Sequence, residues 1–101
     1  TAARLGGAGG NIPYAASKGA IDTLTFGLAQ ELAGEGIRVN AVRPGVVDTE
    51  IHPPGRLERM LPTLPMKRAG EPEEVAEAAL WLLSDAAAYV SGAILDVSGA
   101  R

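Results

Sequence analysis

Tyr14 and Lys18 stand four residues apart in "PYAASKGAIDTLTFGLAQELAGEG", the run from Pro13 to Gly36. On a helix that spacing sets both side chains on one face. A free tyrosine has a pKa of about 10 and moves protons poorly near neutrality. A neighbouring ammonium favours the phenolate and draws that pKa toward the range where proton transfer is efficient. The pair reads either as a proton-transfer couple or as a surface tyrosine beside a solvated lysine, and spacing alone leaves both open. Ser17, between them, has no His–Asp relay to activate it and reads as a helix-face residue rather than a nucleophile. His52 is the single histidine and there is no cysteine, so a thiolate metal site and a disulfide framework are both excluded. His52, Met60 and Met66 lie in an irregular stretch, where a lone histidine is more often solvent-facing and methionine more often fills gaps. None of the three is assigned a role.

The elements that must hold this chemistry follow from periodicity and punctuation. Pro13 suits the first turn of a helix. Ile21, Leu24, Thr25, Leu28 and Leu32 make an apolar stripe at helical spacing, and Gly34 and Gly36 supply the stop. "IRVNAVRPG" (37–45) alternates, is β-branched and ends at Pro44-Gly45, which predicts a strand. Residues 46–70 are irregular, with a short helix predicted at Arg56–Leu61; a segment of this length reads as a substrate lid. "EPEEVAEAALWLLSD" (71–85) is a second helix. Pro72 starts it, Glu73 and Glu74 favour its positive end, and Val75, Ala78, Ala79 and Leu82 form its buried stripe. A turn at Ser91-Gly92 then leads into a strand at Ala93–Val97.

Strand, helix and strand in this order want a right-handed crossover and parallel pairing. Parallel sheets are normally covered on both faces, and two strands cannot cover both helices. The chain is therefore expected to be the edge of a larger doubly wound α/β sheet whose beginning is missing. Residues 1–12, "TAARLGGAGGNI", are Gly-rich, but no strand precedes them and no dinucleotide or P-loop spacing is present. They read as a loop beside a site rather than a phosphate cradle.

Composition narrows the classes further. In 101 residues, 47% are hydrophobic, so a packed core is expected rather than disorder. The net charge of −3, with signs interspersed, argues against a nucleic-acid binder. No apolar run reaches membrane-spanning length and no signal-peptide pattern opens the chain. The expectation is a cytoplasmic protein with neither nucleic acid nor membrane as partner.

The ordered series "YAASKGA", "GIRVNAVRPGVVDTEI" and "PMKRAGEPEEVAEAALWLLSDAAAYVSGAILDVSGAR" resembles the carboxyl-terminal portion of the short-chain dehydrogenase/reductase family. The resemblance covers essentially the whole chain. It implies a Rossmann-like sheet, NAD or NADP as cofactor, a small carbonyl or secondary alcohol as substrate, and a homo-oligomer (dimer or tetramer). In that family's pattern Tyr14 is the general acid/base and also counts among the cofactor-binding residues. Lys18 lowers its pKa and hydrogen-bonds the nicotinamide ribose. Pro44 and Gly45 end the strand where the nicotinamide sits, in keeping with ligand binding at the carboxyl ends of parallel strands. Val47 offers backbone groups to the carboxamide, and Thr49 a hydroxyl to the carboxamide or the phosphates. Asn40 and Arg43 match the family's strand and read as structural. The Gly-rich fingerprint, the residue that selects NAD over NADP and the proton-relaying Asn have no counterpart here. Thr1 stands near the place of the family's catalytic Ser and is a weak candidate for its role.

Two other classes stay in view. A non-catalytic assembly module would use the two amphipathic helices to pair subunits, and a start codon near Thr1 would favour it. An unrelated hydrolase is disfavoured by the lack of a nucleophile–His arrangement. By itself the chain is expected to be inactive, because the pyrophosphate of a dinucleotide needs a Gly-rich turn and helix N-terminus.

Overall fold

A computed structural model of the chain describes residues 11–101. The order is α1 (Ile12–Leu32), β1 (Ala41–Pro44), α2 (Arg56–Met60), α3 (Pro72–Leu83) and β2 (Ile94–Val97). The strands form a two-stranded sheet. The residues fall into two compact units: one holds the chain up to Ala41 together with Tyr89–Ile94, the other Val42–Ala88 together with Leu95–Arg101.

In the first unit, Pro13 lies in the first turn of α1, where its missing N–H costs nothing. The helix tightens into a 3-10 turn over Ala33–Glu35 and stops at Gly36, whose φ of 74° is left-handed. The buried face of α1 matches the predicted stripe only in part. Thr25 is buried and Leu28 and Leu32 are half-buried, but Ile21 and Leu24 are exposed, and Ala15 and Ala29, outside the stripe, are buried. A Cβ on Gly92 would stand 3.2 Å from Phe26 Cδ2 and 3.5 Å from Ala29 Cβ, so Phe26 and Ala29 of the helix lie directly against the 89–94 segment. The buried Thr25 hydroxyl donates to the Ile21 carbonyl at 2.8 Å, which satisfies it inside the helix.

The chain after Gly36 runs beside that segment. Gly92 N–H donates to Val39 O at 2.7 Å and Ala41 N–H to Ala93 O at 2.9 Å. The contacts advance together along both segments, which is parallel pairing. The structural reading of Asn40 holds: its amide donates to Val90 O at 2.9 Å and accepts from Ala93 N–H at 3.0 Å, fixing the predicted Ser91-Gly92 turn. Regular strand is shorter than the sequence suggests, because residues 37–40 are tied by these side-chain bonds rather than by a continuous ladder.

In the second unit the parallel sense continues. Arg43 pairs with Asp96 at 3.0 Å and Gly45 N–H donates to Val97 O at 3.0 Å. Gly70 N–H donates to Val46 O at 2.8 Å and Asp48 N–H to Gly70 O at 2.9 Å. The excursion between 48 and 70 thus leaves and returns at one point, as a compact surface loop does. It carries α2 where a short helix is predicted and buries Leu64. Helix α3 keeps its predicted face: Leu82 is buried and Val75, Ala78 and Ala79 are half-buried. Its first turn is held by Glu74, whose carboxylate accepts Glu71 N–H at 2.9 Å and two bonds from Arg68, at 2.7 and 3.0 Å. The Arg68 guanidinium, followed by the Glu71 amide, holds the Glu74 carboxyl down at about 2.

Candidate functional site

The site residues fall into two groups, one in each unit. In the first unit α1 presents Tyr14 and Lys18 together, with Lys18 Nζ 5.4 Å from the centre of the Tyr14 ring. Both side chains are exposed, so the phenol is open to a reactant and the ammonium can move from the ring face to another acceptor. Ser17 donates its hydroxyl to the Tyr14 carbonyl at 2.8 Å. That bond commits it to the helix backbone, as expected of a helix-face residue.

In the second unit β1 ends at Pro44, and the chain continues through Gly45, Val47 and Thr49. Gly45 has a spatial reason to be glycine. A Cβ there would lie 2.8 Å from Ser98 Cα and 2.9 Å from Ser98 Cβ, closer than packed atoms tolerate. The residue lets the ends of β1 and β2 meet. Val47 is bridged in parallel to Gly70, and the ladder bonds use the carbonyl of Val46 and the amide of Asp48. The amide and carbonyl of Val47 itself therefore face the opposite edge. Thr49 is exposed.

One residue of this group was missed from sequence. His52 is half-buried, and its Nε2 lies 2.8 Å from the Val47 carbonyl oxygen. A histidine five positions from a valine in an irregular segment gives no pattern from which that contact could be read. Met66 is exposed, with its sulfur 3.1 Å from where a Cβ on Gly99 would be. It lines a cavity of about 140 Å³ together with Val46, Val75 and Val97. That is smaller than the roughly 300–1,000 Å³ of ordinary ligand pockets. Thr1 and residues 2–10 of the Gly-rich stretch lie outside the described residues. No helix among the described residues is long and apolar enough to cross a membrane.

Comparison with known proteins gives this geometry a family. The family model described as enoyl-(acyl carrier protein) reductase matches residues 1–99. The oxidoreductase YgfF of Escherichia coli strain K12 is 55% identical over 99% of this chain, which covers 42% of that relative. A galactitol 2-dehydrogenase (L-tagatose-forming) of Cereibacter sphaeroides is 54% identical over 85% of this chain and is covered to 36%. Among solved structures, a 3-oxoacyl-[acyl-carrier protein] reductase from Brucella melitensis with bound NAD superimposes with a TM-score of 0.76 at 44% identity, over 86% of this chain and 32% of its own. The chain thus spans well under half the length of the relatives it matches. Its fold is the corresponding part of a Rossmann-like parallel α/β sheet, and the chain belongs to the short-chain dehydrogenase/reductase family.

Proposed function

We propose that the complete protein carrying this chain is an NAD(P)-dependent oxidoreductase that interconverts a small carbonyl compound and the corresponding secondary alcohol. The observation that carries this reading is the exposed Tyr14–Lys18 pair, with the ammonium 5.4 Å from the ring centre. The described residues fit the nicotinamide end of a dinucleotide. The amide and carbonyl of Val47, unused by the bridge to Gly70, match the acceptor and donors of a carboxamide, and the Lys18 ammonium suits a ribose hydroxyl. When bound, the cofactor supplies or takes the hydride.

The residues of this chain do the rest. In the reducing direction Tyr14 Oη donates its proton to the substrate oxygen as negative charge develops there; in the oxidising direction it accepts the alcohol proton. Lys18 stabilises the resulting phenolate through its charge. Gly45 allows β1 to end flush against β2, and Pro44 removes an amide donor at that exit. Val47 orients the carboxamide and Thr49 contributes a hydroxyl to the carboxamide or the phosphates. Residues 46–70 act as the substrate lid. The complete protein works as a homo-oligomer, a dimer or tetramer, in the cytoplasm.

The experiment is isotopic. The complete protein is incubated with a panel of carbonyl compounds and NADH or NADPH deuterated at C4 of the nicotinamide. Deuterium on the carbinol carbon of a product supports the reading; turnover of none of the panel with either cofactor, despite a folded protein, would contradict it.

A further inference from the structure

His52 is held by one nitrogen and orphaned at the other. Nε2 lies 2.8 Å from Val47 O, and a carbonyl can only accept, so Nε2 carries the proton. In the neutral ring Nδ1 is then a bare acceptor, yet it is shielded from solvent and has no partner among the described residues. Leaving a buried nitrogen unpaired costs at least as much as the Nε2 bond returns. The arrangement is therefore a poor device for stability alone.

The bond does fix one thing, the Val47 carbonyl. Gly70 engages the flanking Val46 carbonyl and Asp48 amide, so the ladder places residue 47 without touching its own polar groups. The turn beyond is loosely closed, by a long His52 N–H to Thr49 O contact of 3.4 Å. The imidazole braces that turn from within.

We propose that His52 is a positioning residue: its Nε2–H occupies one lone pair of the Val47 carbonyl and orients the other toward the carboxamide nitrogen of the nicotinamide. This rests on the role given to Val47 above. A carbonyl oxygen has two lone pairs, so it serves histidine and cofactor at once. His52 touches neither the substrate nor the reacting carbon, and its effect passes through Val47.

The test compares two cofactors that differ only where this carbonyl acts. The 3-acetylpyridine analogue keeps the ring-attached carbonyl but lacks the amide N–H groups, so it does not use the Val47 carbonyl. In the complete protein, His52→Phe is expected to weaken binding of the natural nicotinamide cofactor about tenfold, the worth of one hydrogen bond. Binding of the analogue changes less than twofold on the same scale. His52→Gln, whose amide nitrogen stands where Nε2 does, restores the difference; His52→Asn, whose amide nitrogen stands where Nδ1 does, fails to. Equal weakening for both cofactors, or none for either, overturns the proposal while leaving the oxidoreductase reading in place. Failure of the unsubstituted protein to bind either cofactor overturns both. Independently of any cofactor, nitrogen-15 spectra of the unliganded protein at a pH where the ring is neutral are expected to show His52 protonated on Nε2 and bare on Nδ1. The opposite tautomer would also overturn it.

Discussion

The two regions that carry the proposed site residues are built by different means. On α1 the proposed chemistry sits in side chains: Tyr14 and Lys18 are exposed and adjacent by helical spacing. Beyond β1 the proposed contacts, apart from the Thr49 hydroxyl, sit in the backbone. There Gly45 is set by Ser98, Val47 by Gly70 and its carbonyl by His52. A helix carries its functional groups wherever it goes, whereas a strand exit has to be built by everything that meets it. Substitutions in the first region should therefore alter chemistry without unfolding, and those in the second should alter stability or cofactor grip first.

The largest effect outside Tyr14 is expected on α1. Lys18→Met should lower kcat/KM of the complete protein by about a hundredfold or more, the scale of lost acid–base support. It should also weaken cofactor binding, since the ammonium serves both. Steady-state kinetics with a cofactor titration would read this; a loss confined to stability would erase the contrast between the regions.

Gly45→Ala probes the strand exit. The added methyl would meet Ser98 main-chain atoms at 2.8 and 3.0 Å, and main chain cannot swing aside as a flexible side chain does. Overpacking of this kind costs about 1–3 kcal/mol. The expected result is a lower denaturation midpoint with an unchanged m-value; a midpoint equal to the parent's would show that the exit gives way freely.

A smaller effect of opposite sign is expected at Ala100, which holds a φ of 71°. That conformation costs a residue with a Cβ about 1–2 kcal/mol. Glycine would relieve the strain while adding about 0.4–1 kcal/mol of unfolded-state entropy. Strain wins narrowly, so Ala100→Gly should raise the denaturation midpoint slightly. A fall would mean that the backbone there is not strained.

The smallest effect concerns pH. Glu74 titrates near 2 in the folded chain because of Arg68 and the Glu71 amide, against about 4.3 for an unconstrained glutamate. Its contribution is complete above the unfolded value and disappears as pH falls toward 2. The pair is solvent-exposed and screened, so the change is modest. Glu74→Gln should flatten the decline of the denaturation midpoint between pH 5 and 2, and an unchanged slope would assign that decline to other groups.

The contrast also explains what the sequence could reveal. Both long helices, the Pro44-Gly45 stop, the Ser91-Gly92 turn and the parallel sense of the strands follow from local punctuation and the crossover rule. So does the shared face of Tyr14 and Lys18. The buried face of α1 follows only in part. Thr25 of the apolar stripe is buried, but Ile21 and Leu24 are exposed while Ala15 and Ala29 are buried, and the Ala29 contact depends on Gly92, far along the chain. His52 was illegible for a related reason. Its partner is a carbonyl, which every residue has, so residue type carries no trace of the contact. The Arg68–Glu74 bond crosses a proline and a change from loop to helix, where no periodicity applies.

The central claim is that the Tyr14 hydroxyl moves the proton and contributes little to holding the cofactor. The measurement is kcat and the cofactor Kd of Tyr14→Phe, made side by side in the complete protein. Loss of the phenolic proton should lower kcat by about 10²–10⁴ while leaving the Kd within about twofold, because the missing interaction belongs to the transition state. Near-normal turnover, or a loss explained by weakened cofactor binding, would contradict the account.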